Sequence, residues 1–240
     1  METDTLIRHL ENQLLWLDQQ NYTYLNLEKL FDETYFNQPL SAAEQSPTNK
    51  EEQLPEDTIE SLYAQNADCE RCPLSETRTN FVFGTGNVST PLLFIGEGPG
   101  ADEDRLGEPF VGKAGRLLTQ MIQSIGIDRP DVYIANVVKC RPPKNRTPHA
   151  EEIAKCFPIL HRQIELINPA LIVTLGNVPT RALIPDASGI TKSRGQIYHY
   201  QNWKVLPTFH PAYLLRNPAA MTSSWDDFKK IMTLCFDAES

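Results

Sequence analysis

Beyond about residue 60, the apolar residues fall into two alternating patterns. Continuous apolar runs predict four strands at Leu92–Glu97, Asp131–Val138, Leu171–Gly176 and Trp203–His210. Apolar residues at helical spacing predict helices at Lys113–Ile125, Pro148–Ile167, Asn177–Ile184 and Ser223–Phe236. Three of the four strands are apolar almost throughout, which is typical of a parallel sheet covered on both faces. The chain is therefore predicted to form an α/β fold, a three-layer α/β/α domain with a central four-stranded, mostly parallel sheet.

The N-terminal quarter of the chain has a different composition. Leucines at helical spacing predict an N-terminal helical extension over residues 1–36, which either docks a partner or packs on the rest of the chain. Residues 37–57 are polar, contain proline and have the composition of a linker. We therefore predict one catalytic domain over residues 58–240.

Charge is distributed unevenly along the chain. Its net charge is −9, but residues 1–60 hold 13 Asp or Glu against 3 Lys or Arg, so residues 61–240 carry a net +1. The charge of the domain is therefore compatible with binding to a phosphate backbone but is not evidence for it.

The sequence has no apolar run of the ~20 residues that a membrane span needs, and its start does not resemble a secretory signal. We expect a cytoplasmic protein whose five cysteines are not paired as disulfides.

Three predicted strands end in side chains suited to chemistry. The first runs into a glycine-rich turn around Glu97, the second ends at Asn136 and the fourth at His210. Taken singly, these features also fit an ordinary tight connection, a strand cap and a structural histidine. In a parallel sheet, however, the carboxyl ends of the strands share one edge, where ligands bind. We therefore expect Glu97, Asn136 and His210 to lie around one crevice.

Four of the five cysteines have the spacing of a metal site. Cys69 and Cys72 form a C-x2-C pair before the first strand, Cys140 follows the second strand, and Cys156 lies 16 residues later within a predicted helix. Spacing alone leaves zinc and an iron–sulfur cluster equally open. Cys235 lies on the apolar face of the last predicted helix and is expected to be a core residue.

Several motifs in a fixed order resemble family 4 uracil-DNA glycosylases, over about 170 residues from Asp68 to the last helix. The motifs are Gly96-Glu97-Gly98-Pro99-Gly100, Gly107-Glu108-Pro109-Phe110-Val111-Gly112-Lys113-Ala114-Gly115, Asn136-Val137-Val138-Lys139-Cys140-Arg141-Pro142-Pro143 and His210-Pro211-Ala212-Tyr213-Leu214-Leu215-Arg216. The resemblance implies excision of uracil from single- or double-stranded DNA by a monomer. It also implies a [4Fe-4S] cluster on Cys69, Cys72, Cys140 and Cys156.

The resemblance further implies roles for the residues at the crevice. Glu97 would orient water or stabilise the cationic sugar, and His210 would donate to the departing base. Phe110 would stack on the flipped uracil and Asn136 would pair with its edge, although Phe110 also fits a core anchor. Glu103 would obstruct the methyl group of thymine, and the backbone amides of Gly98 and Gly100 are further candidate donors.

The contacts with DNA are predicted from two segments. Leu214, Leu215 and Arg216 follow the histidine and are candidates for a wedge in the base stack, or else form an ordinary amphipathic turn. Phosphate contacts are expected from Arg194 and from a basic run of Lys139, Arg141, Lys144 and Arg146, or else this run is a solvated loop. The loop after Cys140 is short, which favours ordinary hydrolysis over covalent capture of the sugar.

Two other classes of protein remain compatible with the residues. One is a noncatalytic DNA-binding module of the same fold, associated with a DNA polymerase. The other is a zinc-dependent α/β hydrolase that acts on nucleotides. The carboxylate of Glu97 argues against the first, because a protein that only reads DNA has no need of a carboxylate beside the sugar.

Overall fold

A computed structural model describes residues 57–236, which form helices packed on both faces of one sheet. The predicted N-terminal extension and all of the predicted linker except Asp57 lie outside the described residues. The strands are β1 (Thr85–Gly86), β2 (Leu92–Gly96), β3 (Tyr133–Asn136), β4 (Leu171–Leu175), β5 (Tyr198–Tyr200) and β6 (Trp203–Thr208). The α-helices are α1 (Ile59–Asn66), α2 (Ala101–Leu106), α3 (Lys113–Gln123), α4 (Ala150–Ile167), α5 (Asn177–Leu183), α6 (Ile190–Ser193), α7 (Pro211–Arg216) and α8 (Met221–Phe236).

The sheet has the order β1-β3-β2-β4-β6-β5. Its four central strands pair in parallel and are the four that the apolar runs predict. The edge strands β1 and β5 pair antiparallel with β3 and β6, and the sequence does not predict them. They have only two and three residues, which is too short to show a hydrophobic period.

Helices cover both faces of the central strands, and this confirms the predicted three layers. On one face, Leu93 and Ile95 of β2 pack in a core with Leu160 and Ile164 of α4. On the other face, the ring of Phe94 stacks on Phe228 of α8 with centroids 6.0 Å apart. Because successive side chains of a strand point to opposite faces, a strand buried on both faces is apolar at every position.

The ends of α4 show how local chemistry sets the boundaries of an element. Glu152 accepts a hydrogen bond from the backbone N–H of His149, the N-cap residue, at 2.7 Å. At the other end, Asn168 adopts a left-handed conformation (φ 46°) that stops the helix. Across residues 57–236, no helix combines the length and apolar character needed to cross a membrane.

Candidate active site

A cavity of about 620 Å³ opens at the carboxyl ends of β2, β3 and β6. It brings together eight of the predicted site residues, which are Glu97, Gly98, Gly100, Glu103, Phe110, Asn136, His210 and Arg216. The chain leaves β2 toward β3 on one side and later returns to place β4 on the other side of β2. Such a reversal leaves a crevice at the strand ends, which is where α/β proteins bind their ligands.

Phe110 and Asn136 both line the cavity and come close to the end of β2. Gly96 ends β2, and a Cβ atom on it would lie 2.5 Å from Phe110 Cζ and would also overlap Asn136 Oδ1. Asn136 is only 2% exposed, yet its Oδ1 has no hydrogen-bond partner among the described residues. A buried carbonyl oxygen without a donor costs about 1–3 kcal/mol, so its retention points to a ligand that supplies the donor. A ligand with an N–H edge would supply this donor.

His210 lies near Phe110 in the cavity, and its imidazole ring is neutral. Its ring centroid lies 5.6 Å from that of Phe110. Its Nδ1 accepts a hydrogen bond from the backbone N–H of Ala212 at 3.0 Å and so caps the start of α7. Burial, together with nearby Arg216, lowers the pKa of His210 to about 4. The neutral ring therefore carries its proton on Nε2, which is free to donate to a ligand.

Glu97 supplies a carboxylate on the cavity wall. Burial raises the pKa of Glu97 above its usual 4.5, and a hydrogen bond with Thr147 partly opposes the rise. Partial burial strengthens the electrostatic effect of the ionised carboxylate on a nearby cation. Thr147 belongs to the loop that follows Cys140, and the sequence does not predict its contact with Glu97.

The carboxylate of Glu103 is held by three backbone amides. Its Oε1 accepts from Val111 and Gly112 at 3.0 and 2.9 Å, and its Oε2 accepts from Gly100 at 3.1 Å. These bonds tie the glycine-rich turn after β2 to the turn that carries Phe110. The structure therefore gives Glu103 a fixed position on the cavity wall, which the sequence by itself does not establish.

The turn at Phe110 is strained and closely supported. Phe110 has a φ of 54°, a left-handed conformation that is uncommon for a residue with a side chain. Arg129 Nη2 donates to the carbonyl of Pro109 at 2.7 Å, and Gly115 lets the backbone carbonyl of Phe110 approach α3. Such strain persists only where the surroundings hold it, and it is concentrated at functional sites.

The four predicted cluster ligands pack in or against one hydrophobic core. Cys140 and Cys156 are buried, and Cys69 and Cys72 are partly buried against the same core. Burial raises the pKa of the Cys140 thiol, and the neighbouring Cys72 and Cys69 raise it further. Burial also raises the pKa of Cys156 to about 11, and Cys140 and Cys72 add to that rise. Cys140 therefore lies within electrostatic range of the other three cysteines.

Two N–H groups point at these sulfur atoms. Arg78 Nη1 donates to Cys140 Sγ at 3.2 Å and to the carbonyl of Cys69 at 2.5 Å. The backbone N–H of Lys139 donates to Cys156 Sγ at 3.3 Å. Hydrogen bonds to cysteine sulfur are a regular feature of iron–sulfur sites, so the donor set fits such a group. In the described part of the chain, no three His, Cys, Asp or Glu residues are grouped so that they could hold a metal ion.

The structure corrects part of the predicted DNA-contacting set. Leu214 is fully buried, so its prediction as a wedge residue is wrong. Arg194 forms a two-point ion pair with Asp227, with bonds of 3.0 and 2.7 Å, so its guanidinium already has a partner inside the protein. Lys139 is also fully buried and cannot reach a phosphate group. Burial lowers the pKa of Lys139 to about 7.

Other predicted contacts remain accessible. Leu215 is half-buried and Arg216 is exposed at the rim of the cavity. Arg141 is partly exposed and donates to Asn145 Oδ1 at 2.7 Å. Tyr213 lines the cavity with 39% of its surface exposed, and no sequence pattern favoured it over Leu214. Cys235, which was expected in the core, is partly exposed.

Comparison with known proteins agrees with this site. The Uracil DNA glycosylase superfamily profile matches residues 83–231. A type-4 uracil-DNA glycosylase of Archaeoglobus fulgidus is 43% identical over 75% of this chain and 94% of its own length. That of Thermotoga maritima is 51% identical over 68% of this chain and 85% of its own length. A DNA polymerase of Bacillus phage SP01 is 34% identical over 56% of this chain, but the match covers only 15% of the polymerase.

The α/β sheet and the cavity at its strand ends thus define a protein of the uracil-DNA glycosylase superfamily. Within it, the chain belongs to the type-4 uracil-DNA glycosylases. Both conclusions confirm the resemblance seen in the motifs.

Proposed function

We propose that this protein removes uracil from DNA by hydrolysing its N-glycosidic bond and leaving an abasic site. The observation that carries the proposal is the buried, unpartnered Oδ1 of Asn136, in a cavity also lined by Phe110, Glu97 and His210. Uracil presents an N–H beside a carbonyl oxygen, which matches the acceptor and the donor of an asparagine amide. The base reaches the cavity only after it has been flipped out of the stack, which costs a few kcal/mol.

The bond breaks with positive charge developing on the sugar and negative charge on the base. The ionised carboxylate of Glu97 favours the sugar cation and orients the attacking water. The Nε2–H of neutral His210 donates to the base oxygen that gains charge, and the backbone amides of Gly98 and Gly100 are further candidate donors. A neutral donor suits this role, because it stabilises the developing anion without first pairing with Glu97.

Glu103 accounts for the rejection of thymine. A pocket that lacks room for one methyl group discriminates by only ~1–3 kcal/mol when its wall can yield. Three backbone hydrogen bonds prevent the carboxylate of Glu103 from moving aside. A fixed, charged obstruction raises the cost of placing the thymine methyl group there.

Binding to DNA is assigned to residues that keep some surface exposed on either side of the cavity. Arg141 contacts phosphate, and Leu215 and Arg216 follow the histidine at the place where the base departs. Tyr213 joins them in place of the buried Leu214.

We assign this catalytic domain to residues 58–240. We further propose that it acts as a monomer in the cytoplasm, on single- and double-stranded DNA.

The cysteines are assigned to a [4Fe-4S] cluster held by Cys69, Cys72, Cys140 and Cys156. Arg78 Nη1 and the backbone N–H of Lys139 donate to Cys140 Sγ and Cys156 Sγ, and donors of this kind are regular at iron–sulfur sites. When bound, such a cluster would support the loop after Cys140, with no redox step in the hydrolysis.

The decisive experiment is single-turnover release of uracil from an oligonucleotide, with thymine and hypoxanthine oligonucleotides in parallel. We expect rapid release of uracil and none of thymine. Glu97→Gln and His210→Ala are each expected to reduce the rate by about 10²–10³-fold, the usual size for such groups. Glu60→Gln, the same change at an exposed position of α1, serves as the control. Binding without any release of uracil would instead support the noncatalytic DNA-binding module.

A further inference from the structure

Lys139 is fully buried, and among the described residues no Asp or Glu side chain pairs with its Nζ. Its Nζ donates to the backbone carbonyl of Asn136 at 2.9 Å and to Gln163 Oε1 at 2.5 Å. Burying an amine costs stability unless its hydrogen bonds are satisfied. A leucine or methionine would fill this space at lower cost, so the position calls for an explanation other than packing.

The carbonyl of Asn136 lies where the sheet stops supplying partners. The edge strand β1 pairs with Tyr133 and Ile134 of β3 and ends before Asn136. On the other side, the backbone ladder with β2 continues through Val137 and Val138, whose N–H groups donate to Gly96 and Glu97. A buried carbonyl needs a donor, and Lys139 Nζ replaces the missing strand.

Lys139 also connects this carbonyl to the helix that carries Cys156. Gln163 lies on α4, two turns beyond Cys156, and its Nε2 donates to the carbonyl of Phe83 at 3.1 Å. The backbone N–H of Lys139 donates to Cys156 Sγ. The end of β3 is therefore fixed to α4 twice, once through the lysine side chain and once through its backbone.

We propose that Lys139 is a positioning residue for uracil recognition, which holds Asn136 so that its amide meets the edge of the base. This inference rests on the proposed function. Asn136 Oδ1 lies so close to the end of β2 that a Cβ atom on Gly96 would overlap it, so a small rotation of the Asn136 backbone would displace this oxygen. Lys139 does not line the cavity and acts only through Asn136.

Two variants separate positioning from stability. Lys139→Met removes both side-chain hydrogen bonds and leaves the carbonyl of Asn136 and Oε1 of Gln163 buried without a donor. The melting temperature of this variant is therefore expected to fall. In the double variant Lys139→Met with Gln163→Leu, the unpaired Oε1 of Gln163 is gone but the carbonyl of Phe83 loses its donor, so only part of the lost stability returns. Neither variant restores the bond to Asn136. Thr174→Val is the control, because it removes a buried side-chain hydrogen bond from β4, with Thr180 at 2.8 Å, outside the cavity lining.

The expected results are the following. Both Lys139 variants release uracil about 10–100-fold more slowly than wild type, the size of effect that a small misplacement produces. Both also bind free uracil more weakly, measured as its inhibition of excision. Their iron-to-protein ratio stays at the wild-type value, because the backbone N–H of Lys139 still reaches Cys156. Thr174→Val loses stability but keeps its excision rate.

Three results would overturn the inference. If the double variant regained excision together with its melting temperature, Lys139 would have only a stabilising role. If iron were lost in step with activity, Lys139 would act through the cysteine site. Wild-type rates in both variants would remove any role. If the wild-type protein released no uracil, the proposed function itself would be refuted. Failure of the proposed function is therefore distinguishable from failure of the inference about Lys139.

Discussion

At the scale of single residues, the chemistry depends on the proton carried by two side chains. Ala212 fixes the proton of His210 on Nε2, and burial keeps the ring neutral. Burial raises the pKa of Glu97, whereas it lowers the pKa of His210. Environment thus gives two titratable groups in one cavity opposite tendencies, as acid–base sites commonly require.

The pH profile of excision tests this assignment. The active form has Glu97 ionised, and its pKa is raised, so the rate is expected to fall as the pH drops toward a midpoint above 4.5. His210 takes up its proton only near pH 4 and leaves the profile flat around 6.5. Single-turnover rates between pH 4.5 and 8 measure this.

Glu97→Gln provides the control for the pH profile. Its residual rate should lose the acid limb that ionisation of Glu97 produces. A limb with a midpoint near 6.5 that persisted in this variant would mean that a histidine with an ordinary pKa controls the reaction, and the neutral state of His210 would be refuted.

At the scale of elements, the cavity depends on turns that glycine makes possible. The turn at Phe110 lies against the start of α3, where a Cβ atom on Gly115 would collide with the Phe110 carbonyl. Glu103 and Arg129 hold the same turn through backbone atoms. The stacking ring is therefore positioned by backbone packing as much as by its own side chain.

Gly115→Ala is expected to displace Phe110 and reduce uracil release at least tenfold, while destabilising the fold by about 1–3 kcal/mol through overpacking. Excision kinetics and a denaturant titration measure the two effects. Gly126→Ala is the matched control. It has no atom within 4 Å of its new Cβ but a φ of 78°, so it costs stability through backbone strain alone. An equal loss of excision in both variants would show that general instability, and not the Phe110 turn, is responsible.

At the scale of the whole molecule, the cysteine site joins segments far apart in the sequence. It links the loop before β1 to the loop after β3 and to α4. The loop after Cys140 also delivers Thr147 to Glu97 and Arg146 to the cavity rim. Loss of the cluster is therefore expected to disturb both the fold and one wall of the site.

Cys72→Ser tests this coupling. We expect loss of iron, a lower melting temperature and slower excision, because metal-binding free energy is also folding free energy. Iron analysis, thermal unfolding and uracil release measure the three. Cys235→Ser is the control, since this cysteine lies outside the four, and it should keep its iron. Full iron content in Cys72→Ser would contradict the proposed ligand set, and oxidants that alter the cluster without unfolding the protein should leave excision unchanged.

The sequence by itself determined the layers and the membership of the cavity. Short continuous apolar runs between turn residues are typical of strands covered on both faces, so β2, β3 and β4 were recognisable locally. Because parallel strands end at one edge, the positions of Glu97, Asn136 and His210 after their strands were enough to bring them together.

Tertiary structure alone decided which neighbours in the chain face inward. Leu214 and Tyr213 are adjacent, yet one is buried and the other exposed. Lys139 belongs to a basic run and was predicted to contact phosphate. Its side chain is instead buried and donates to Gln163 Oε1. Glu103 gains its fixed position from amides that lie up to nine residues away. These outcomes depend on contacts between separate elements, and local sequence patterns carry no information about such contacts.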